Sequence, residues 1–133
     1  MSYRILIVDD SPHIRGAIRV SIEERTGWLV CGEAENGQIA VAMVSTHKPH
    51  IVILDLSMPV MNGLDAAREI SVIAPGIPMI LFTLHHADAL VQEALGVGIK
   101  HVFSKSDGFG DHVFAAMSAM LKPPAKSARQ SPK

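Results

Sequence analysis

The sequence offers no bulk attraction toward any large class of partner. Its 12 lysines and arginines stand against 13 aspartates and glutamates, a formal net charge of -1. No overall field therefore draws the chain to nucleic acid or to anionic lipid, and partners must be recognised locally. A single cysteine, Cys31, excludes an intramolecular disulfide and fits a reducing compartment. Placed in an apolar segment, it reads as a buried small hydrophobe. No apolar run approaches the roughly 20 residues of a membrane span. The opening MSYRILIVDD has too short an apolar stretch for a secretory signal and runs directly into acids. A soluble, cytoplasmic protein is the expectation, with no membrane and no nucleic-acid partner.

What is present is a core. With 133 residues, 48% of them hydrophobic and 19% charged, the chain has the composition of one globular domain. Tyr3 to Val8 is too short for a helix and apolar enough for a strand buried on both faces. After Asp9-Asp10-Ser11-Pro12, the residues Ile14, Ile18 and Ile22 recur at helical period, and Pro12 suits a first turn. Trp28 to Cys31 reads as a second strand. Asn36-Gly37 reads as a turn into a helix that carries Ile39, Ala42, Met43 and Thr46 inward and stops at Pro49. Ile51 to Leu54 is a third strand, Gly63 to Val72 a third helix and Ile77 to Phe82 a fourth strand. Ala87 to Leu95 is a fourth helix, with Leu90, Val91, Ala94 and Leu95 on one side, and it ends at Gly96 and Gly98. A fifth strand follows at residues 101–104. Asp107 then caps a last helix whose buried stripe is Val113, Phe114, Met117, Met120 and Leu121. From Lys122 the segment KPPAKSARQSPK has no apolar pattern. It reads as a disordered basic tail or cut linker after a domain at residues 1–121.

Five strands alternating with five helices predict an α/β domain, a doubly wound parallel sheet covered on both faces. Function in such sheets gathers outside the carboxyl ends of the strands. The first strand delivers Asp9 and Asp10 there, the third Asp55, the fourth Thr83 and the fifth Lys105. An acid after one strand is ordinarily a helix cap or a solvated loop residue; polar residues at the same edge of four strands are a different matter. Three carboxylates within about 5 Å repel one another by a few kcal/mol per pair at an effective dielectric of about 20. A proton or a cation must offset that. The donors are all oxygens, with no cysteine and no suitably spaced histidine among them, which points to Mg²⁺ rather than zinc. Mg²⁺ keeps open positions that a phosphate oxygen can fill. Lys105 and Thr83 could hold further phosphate oxygens, and Asp55 stands centrally as a nucleophile.

The motifs ILIVDDS, DLSMPVMNG, LFT and SK, in this order across about residues 3–121, resemble those of bacterial two-component response-regulator receiver domains. FTLHHAD is similar to receivers attached to helix-turn-helix outputs, although these 133 residues leave no room for a second folded domain. The resemblance implies a flavodoxin-like (βα)5 fold with strand order 2-1-3-4-5. It also implies that Asp55 accepts a phosphoryl group, that Asp10 binds Mg²⁺ directly and Asp9 through water, and that the backbone carbonyl of Ser57 is a further ligand. Thr83 and Lys105 are implied to sense and anchor the phosphoryl group, while Met58, Pro59 and Gly63 shape the turn. Implied partners are a sensor histidine kinase and an unidentified downstream protein, with a homodimer through the fourth helix, fifth strand and fifth helix also compatible.

The chain departs from that pattern at several places. Val102 stands where receivers carry Tyr or Phe, and Phe103 lies one step later, on the opposite face of a strand. Leu84 is bulkier than the usual small residue and narrows access, and Ser106 replaces a common proline. Ser57 and His85 occupy positions that tune loss of the phosphoryl group. The seven histidines lack metal-ligand spacing and read as scattered surface residues, and the methionines read as core filler. On these grounds the expected function is that of a phosphoacceptor switch with no separate substrate turnover. Two other classes stand against it. A Mg²⁺-dependent aspartyl-phosphate phosphatase lacks a dedicated acid or base and a substrate pocket. A phosphorylation-independent protein-binding module stays open because the aromatic is missing. A flavodoxin-type cofactor carrier is disfavoured because the first strand leads into DDSPH instead of a phosphate cradle.

Overall fold

The computed structural model describes residues 2–121. The basic segment beginning at Lys122, read above as a tail, lies outside the described residues. Strands β1 (Arg4–Val8), β2 (Leu29–Ala34), β3 (Ile51–Leu54), β4 (Met79–Thr83) and β5 (His101–Ser104) alternate with helices α1 (Pro12–Arg25), α2 (Gly37–His47), α3 (Gly63–Ile73), α4 (Asp88–Gly96) and α5 (Asp111–Leu121). The five strands form one parallel sheet in the order β2-β1-β3-β4-β5. The expected doubly wound fold, with its reversal of strand order at β1 and β3, is what the chain adopts.

Period-two alternation along the strands divides the core in two. Leu6, Val8, Val52, Leu54, Met79 and Leu81 point to one face, where α2, α3 and α4 cover them with Ala40, Val44, Leu64, Ala67, Ile70 and Ala94. Ile5, Ile7, Ile51, Ile53, Ile80 and Phe82 point to the other and meet Ile18 and Ile22 of α1 and Val113, Phe114 and Met117 of α5. Each fully buried aliphatic side chain contributes about 1.5–3 kcal/mol, so the central strands are anchored tightly against slippage. Among the described residues, no helix is long and apolar enough to cross a membrane.

Several local expectations are corrected by packing. β2 runs on past Cys31 to Ala34 because β1 pairs with it as far as Val8 opposite Ala34. Cys31 is half-buried rather than buried, and burial raises its thiol pKa. In α2 the buried residues are Gly37, Ala40 and Val44, whereas Ile39, Ala42 and Thr46 face outward. The helix phase is set at its start: Asn36 Oδ1 accepts from the Ile39 N–H at 2.9 Å, and the Gly37 N–H donates to the Met61 carbonyl at 2.9 Å. In α4, Ala94 is buried and Leu95 faces solvent. Asp107 caps nothing in α5. It closes a 3-10 turn over Lys105–Asp107, Gly108 follows in the left-handed region at φ 76°, and the helix starts at Asp111.

Candidate functional site

Register brings the acids together. β1 and β3 pair from Ile5 opposite Ile51 to Val8 opposite Leu54, so the next residue on each strand, Asp9 and Asp55, emerges side by side. Two further bonds fix the exits: the Asp55 N–H donates to the Val8 carbonyl at 2.9 Å, and the Asp9 N–H to the Ala34 carbonyl at 3.0 Å. β4 and β5 end in step, Thr83 opposite Ser104, which places Lys105 at the same edge.

Asp9, Asp10 and Asp55 each offer a carboxylate oxygen within 4.8 Å of the others'. Asp9 and Asp55 are buried and Asp10 is exposed. Lys105 Nζ lies 2.7 Å from Asp9 Oδ2 and 3.3 Å from Asp55 Oδ2, so the ammonium sits against both buried acids. The remaining oxygens are oriented by backbone: the Ser11 N–H donates to Asp9 Oδ1 at 2.9 Å and the Leu56 N–H to Asp55 Oδ1 at 2.8 Å. Burial, and then the charge of Asp9, raise the Asp55 carboxyl above its ordinary pKa even though Lys105 pulls it down. Burial alone would lower the Lys105 pKa. Its hydrogen bond to Asp9 and the charges of both acids overcome that and raise it, so the ammonium stays charged.

The donor set suits a hard divalent cation. Three carboxylates converge with one ammonium among the described residues, and Ser57 lies exposed on the loop after Asp55, lining an open hollow with Asp10, Leu56, Met58 and Asn62. All-oxygen ligands with open approach fit Mg²⁺ in preference to a softer metal.

The loop from Asp55 to α3 is built without slack. A Cβ on Gly63 would stand 2.1 Å from the Asp55 carbonyl oxygen, so the site tolerates only glycine there. Asn62 caps α3, its Oδ1 accepting from the Asp65 N–H at 2.9 Å. Val60, 73% exposed, holds φ 69°, a left-handed conformation that costs a β-branched residue about 1–2 kcal/mol. Thr83 is fully buried and its hydroxyl accepts from the His85 N–H at 3.2 Å. Leu84 is 70% exposed, pointing outward beside the site. α4 then begins after Ala87 with no side-chain cap, unlike α1, α2 and α3, which are capped by Ser11, Asn36 and Asn62.

The structure brings together Asp9, Asp10, Asp55 and Lys105, places Thr83 at the end of β4 opposite Ser104, and separates Val102 from Phe103. Val102 packs toward α2, α3 and α4. Phe103 packs toward α1 and α5, stacked on His101 at 5.7 Å and meeting His112 edge-on at 5.5 Å. Two contacts were missed from sequence. Arg15 Nη1 donates to the Asp9 carbonyl at 2.6 Å, and the His86 ring Nε2 lies 3.3 Å from the Val102 carbonyl. An arginine one turn into the helix that follows the acid pair was the available signal for the first; nothing local announces the second.

Comparison with known proteins agrees with this geometry. The response regulator receiver domain family matches residues 5–112. The chain is 34% identical over 119 residues to the transcriptional regulatory protein YdfI of Bacillus subtilis, covering 90% of this chain and 55% of that protein. It thus spans about half of YdfI. It is 40% identical over 105 residues to the chemotaxis protein CheY of Thermotoga maritima, covering 79% of this chain and 87% of CheY. Among solved structures, the CheX-CheY-BeF3-Mg²⁺ complex from Borrelia burgdorferi superimposes with a TM-score of 0.78 at 26% identity, over 90% of each chain.

Proposed function

The chain belongs to the response regulator receiver domain family, and on that premise we propose that it is a phosphoacceptor switch in which Asp55 takes a phosphoryl group from a sensor histidine kinase. The observation that carries the reading is the convergence of Asp9, Asp10 and Asp55 at the carboxyl edge of the sheet, with the Lys105 ammonium against Asp9 and Asp55. Asp55 sits at the tip of a strand sunk in the core, so its carboxylate is held still for in-line attack. A carboxylate oxygen forms a bond to phosphorus as the phosphorus–nitrogen bond of the donor phosphohistidine breaks, and the leaving imidazole nitrogen keeps the electron pair and is protonated from solvent. Lys105, freed from part of its contact with Asp55, holds one phosphoryl oxygen, and the Thr83 hydroxyl donates to another. Asp10, Asp55 and the Ser57 carbonyl would hold Mg²⁺, with Asp9 acting through water, and the cation would supply charge neutralisation for the incoming dianion. The acyl phosphate formed is labile, and the protein turns over no separate substrate.

The Thr83 hydroxyl also carries the downstream consequence. It now accepts from the His85 N–H. Drawing it toward a phosphoryl group pulls on a loop that leads into α4, a helix without a side-chain cap, and so changes the surface of α4, β5 and α5 presented to a downstream protein or a second copy. The Borrelia burgdorferi neighbour, a CheY complexed with CheX, BeF3 and Mg²⁺, supports this reading because beryllofluoride mimics a phosphoryl group. A phosphorylation-independent binding module is the second reading. It is favoured by Phe103, which is packed between His101 and His112 on the face away from Val102 and cannot serve as the usual rotating aromatic. Intact-mass measurement after incubation with Mg²⁺ and acetyl phosphate decides between them. One phosphate adduct, absent in Asp55→Asn, is expected for the switch, and no adduct on the wild-type chain would leave the binding module.

A further inference from the structure

Asp10 is assigned a metal-binding role, yet among the described residues no side chain holds its exposed carboxylate. Its direction is set by the backbone, and the peptide plane entering Asp10 is the one whose carbonyl belongs to Asp9. That carbonyl accepts from Arg15 Nη1 at 2.6 Å. Arg15 stands in the first turn of α1, and its side chain is only 16% exposed. Its Nε donates to Glu33 Oε1 on β2 at 3.0 Å, while the other Glu33 oxygen accepts from Arg19 Nε at 2.7 Å. The guanidinium is therefore gripped from behind by a strand and applied in front to the peptide that carries the metal-facing acid.

The charges make the second partner necessary. A bare guanidinium this close to the acid cluster would repel a divalent cation. Glu33 offsets that charge, and its two arginines hold its own pKa below the ordinary value against the cost of burial, so the neutralisation persists at neutral pH. We infer that Arg15 and Glu33 form a positioning pair for the metal site: Arg15 fixes the Asp9–Asp10 peptide, and Glu33 both orients Arg15 and cancels its charge. Neither residue touches the cation or the phosphoryl group. The inference rests on the Mg²⁺ reading of Asp9, Asp10 and Asp55.

The test is a titration of the ¹⁵N-labelled full chain with MgCl2, followed through the amide resonances of Asp10 and Ser11. The spectrum also reports whether each variant is folded. Glu33→Gln should weaken Mg²⁺ binding about tenfold, the lower end of what outer-shell substitutions cost. The same substitution in an Arg15→Gln background should have no further effect, because Glu33 acts only through Arg15. Arg19→Gln, which removes a neighbour of Glu33 but no contact with Asp9, should bind as the wild type does. A Glu33→Gln affinity within twofold of wild type, or an equal loss with Arg15 already gone, overturns the inference alone. A wild-type chain that shows no Mg²⁺-dependent shifts, or shifts that survive in Asp10→Asn, overturns the metal reading and this inference with it.

Discussion

Replacing Gly63 with alanine adds one methyl group and should cripple the protein. The new Cβ would lie 2.1 Å from the Asp55 carbonyl oxygen and 3.0 Å from its carbonyl carbon, with the Leu56 Cα 3.2 Å away. Ordinary contact begins more than an ångström further out, and every close neighbour is main chain that cannot rotate away. Relief must come from moving the first turn of α3 or the peptide after Asp55. Either breaks the bond from the Gly63 N–H to the Leu56 carbonyl, 2.9 Å in the native fold, and turns the Leu56 N–H that orients Asp55 Oδ1. Overpacking of this kind costs about 1–3 kcal/mol when side chains can give, and more is expected against backbone. A displacement of roughly 1 Å at a reacting group costs on the order of a hundredfold in rate. Gly16 supplies the control, since it lies inside α1 with nothing within 4 Å of an added Cβ. Gly16→Ala should stabilise by up to about 1 kcal/mol through helix propensity alone. Urea unfolding measures both stabilities, and the time course of the mass adduct with acetyl phosphate measures the rate. A Gly63→Ala protein with wild-type stability and labelling rate would refute the close approach and the rigid presentation of Asp55 argued from it.

Asp55→Asn should raise the stability of the metal-free protein. A carboxyl whose pKa is raised on folding is destabilised as the anion at neutral pH, so removing that charge relieves the fold; a lower urea midpoint than wild type at pH 7 without Mg²⁺ would contradict this. His50 behaves oppositely with pH. Its Nδ1 accepts from the Arg4 N–H at 2.9 Å, which requires the neutral ring, and burial followed by the Arg4 charge lowers its pKa from 6.5. The unfolded chain then takes up the proton first, so stability is full above pH 6.5 and falls as pH drops below it, and His50→Gln should flatten that part of the urea-midpoint profile. Val60→Asn should stabilise by about 1 kcal/mol, because asparagine tolerates the left-handed backbone that valine occupies at φ 69°; calorimetry showing no gain would mean the strain is absent.

The site was more legible in the sequence than the helix faces were. Asp9, Asp55, Thr83 and Lys105 each end an apolar run, and parallel register alone carries such ends to one edge. The phase of α2 was not legible, because Ile39 looks like a core residue until the Gly37 contact with the Met61 carbonyl rotates it outward and turns Ala40 in. The start of α5 was misplaced for a related reason. Asp107 has the chemistry of a cap, but the left-handed Gly108 ends the 3-10 turn and delays the helix to Asp111. The Arg15 contact with Asp9 joins residues six apart, yet its purpose emerges only with Glu33, eighteen residues further on and in another strand.

The structure also narrows how a signal could leave the site. With Val102 in place of an aromatic, and Phe103 fixed between His101 and His112, β5 offers no ring free to turn beside Thr83. The connection that remains runs through the loop itself. His85 is tied by its N–H to the Thr83 hydroxyl, and the next ring, His86, lies 3.3 Å from the Val102 carbonyl on the neighbouring strand. Under the proposed switch, a pull on Thr83 would pass along two residues of backbone to a side chain that rests on β5, just before α4, which has no side-chain cap to break. Under the phosphoacceptor reading proposed above, the β4–α4 loop would carry the work expected of a rotating aromatic at the position of Val102. The protein's output should accordingly be more sensitive to substitutions at residues 84–87 than to any at Val102 or Phe103.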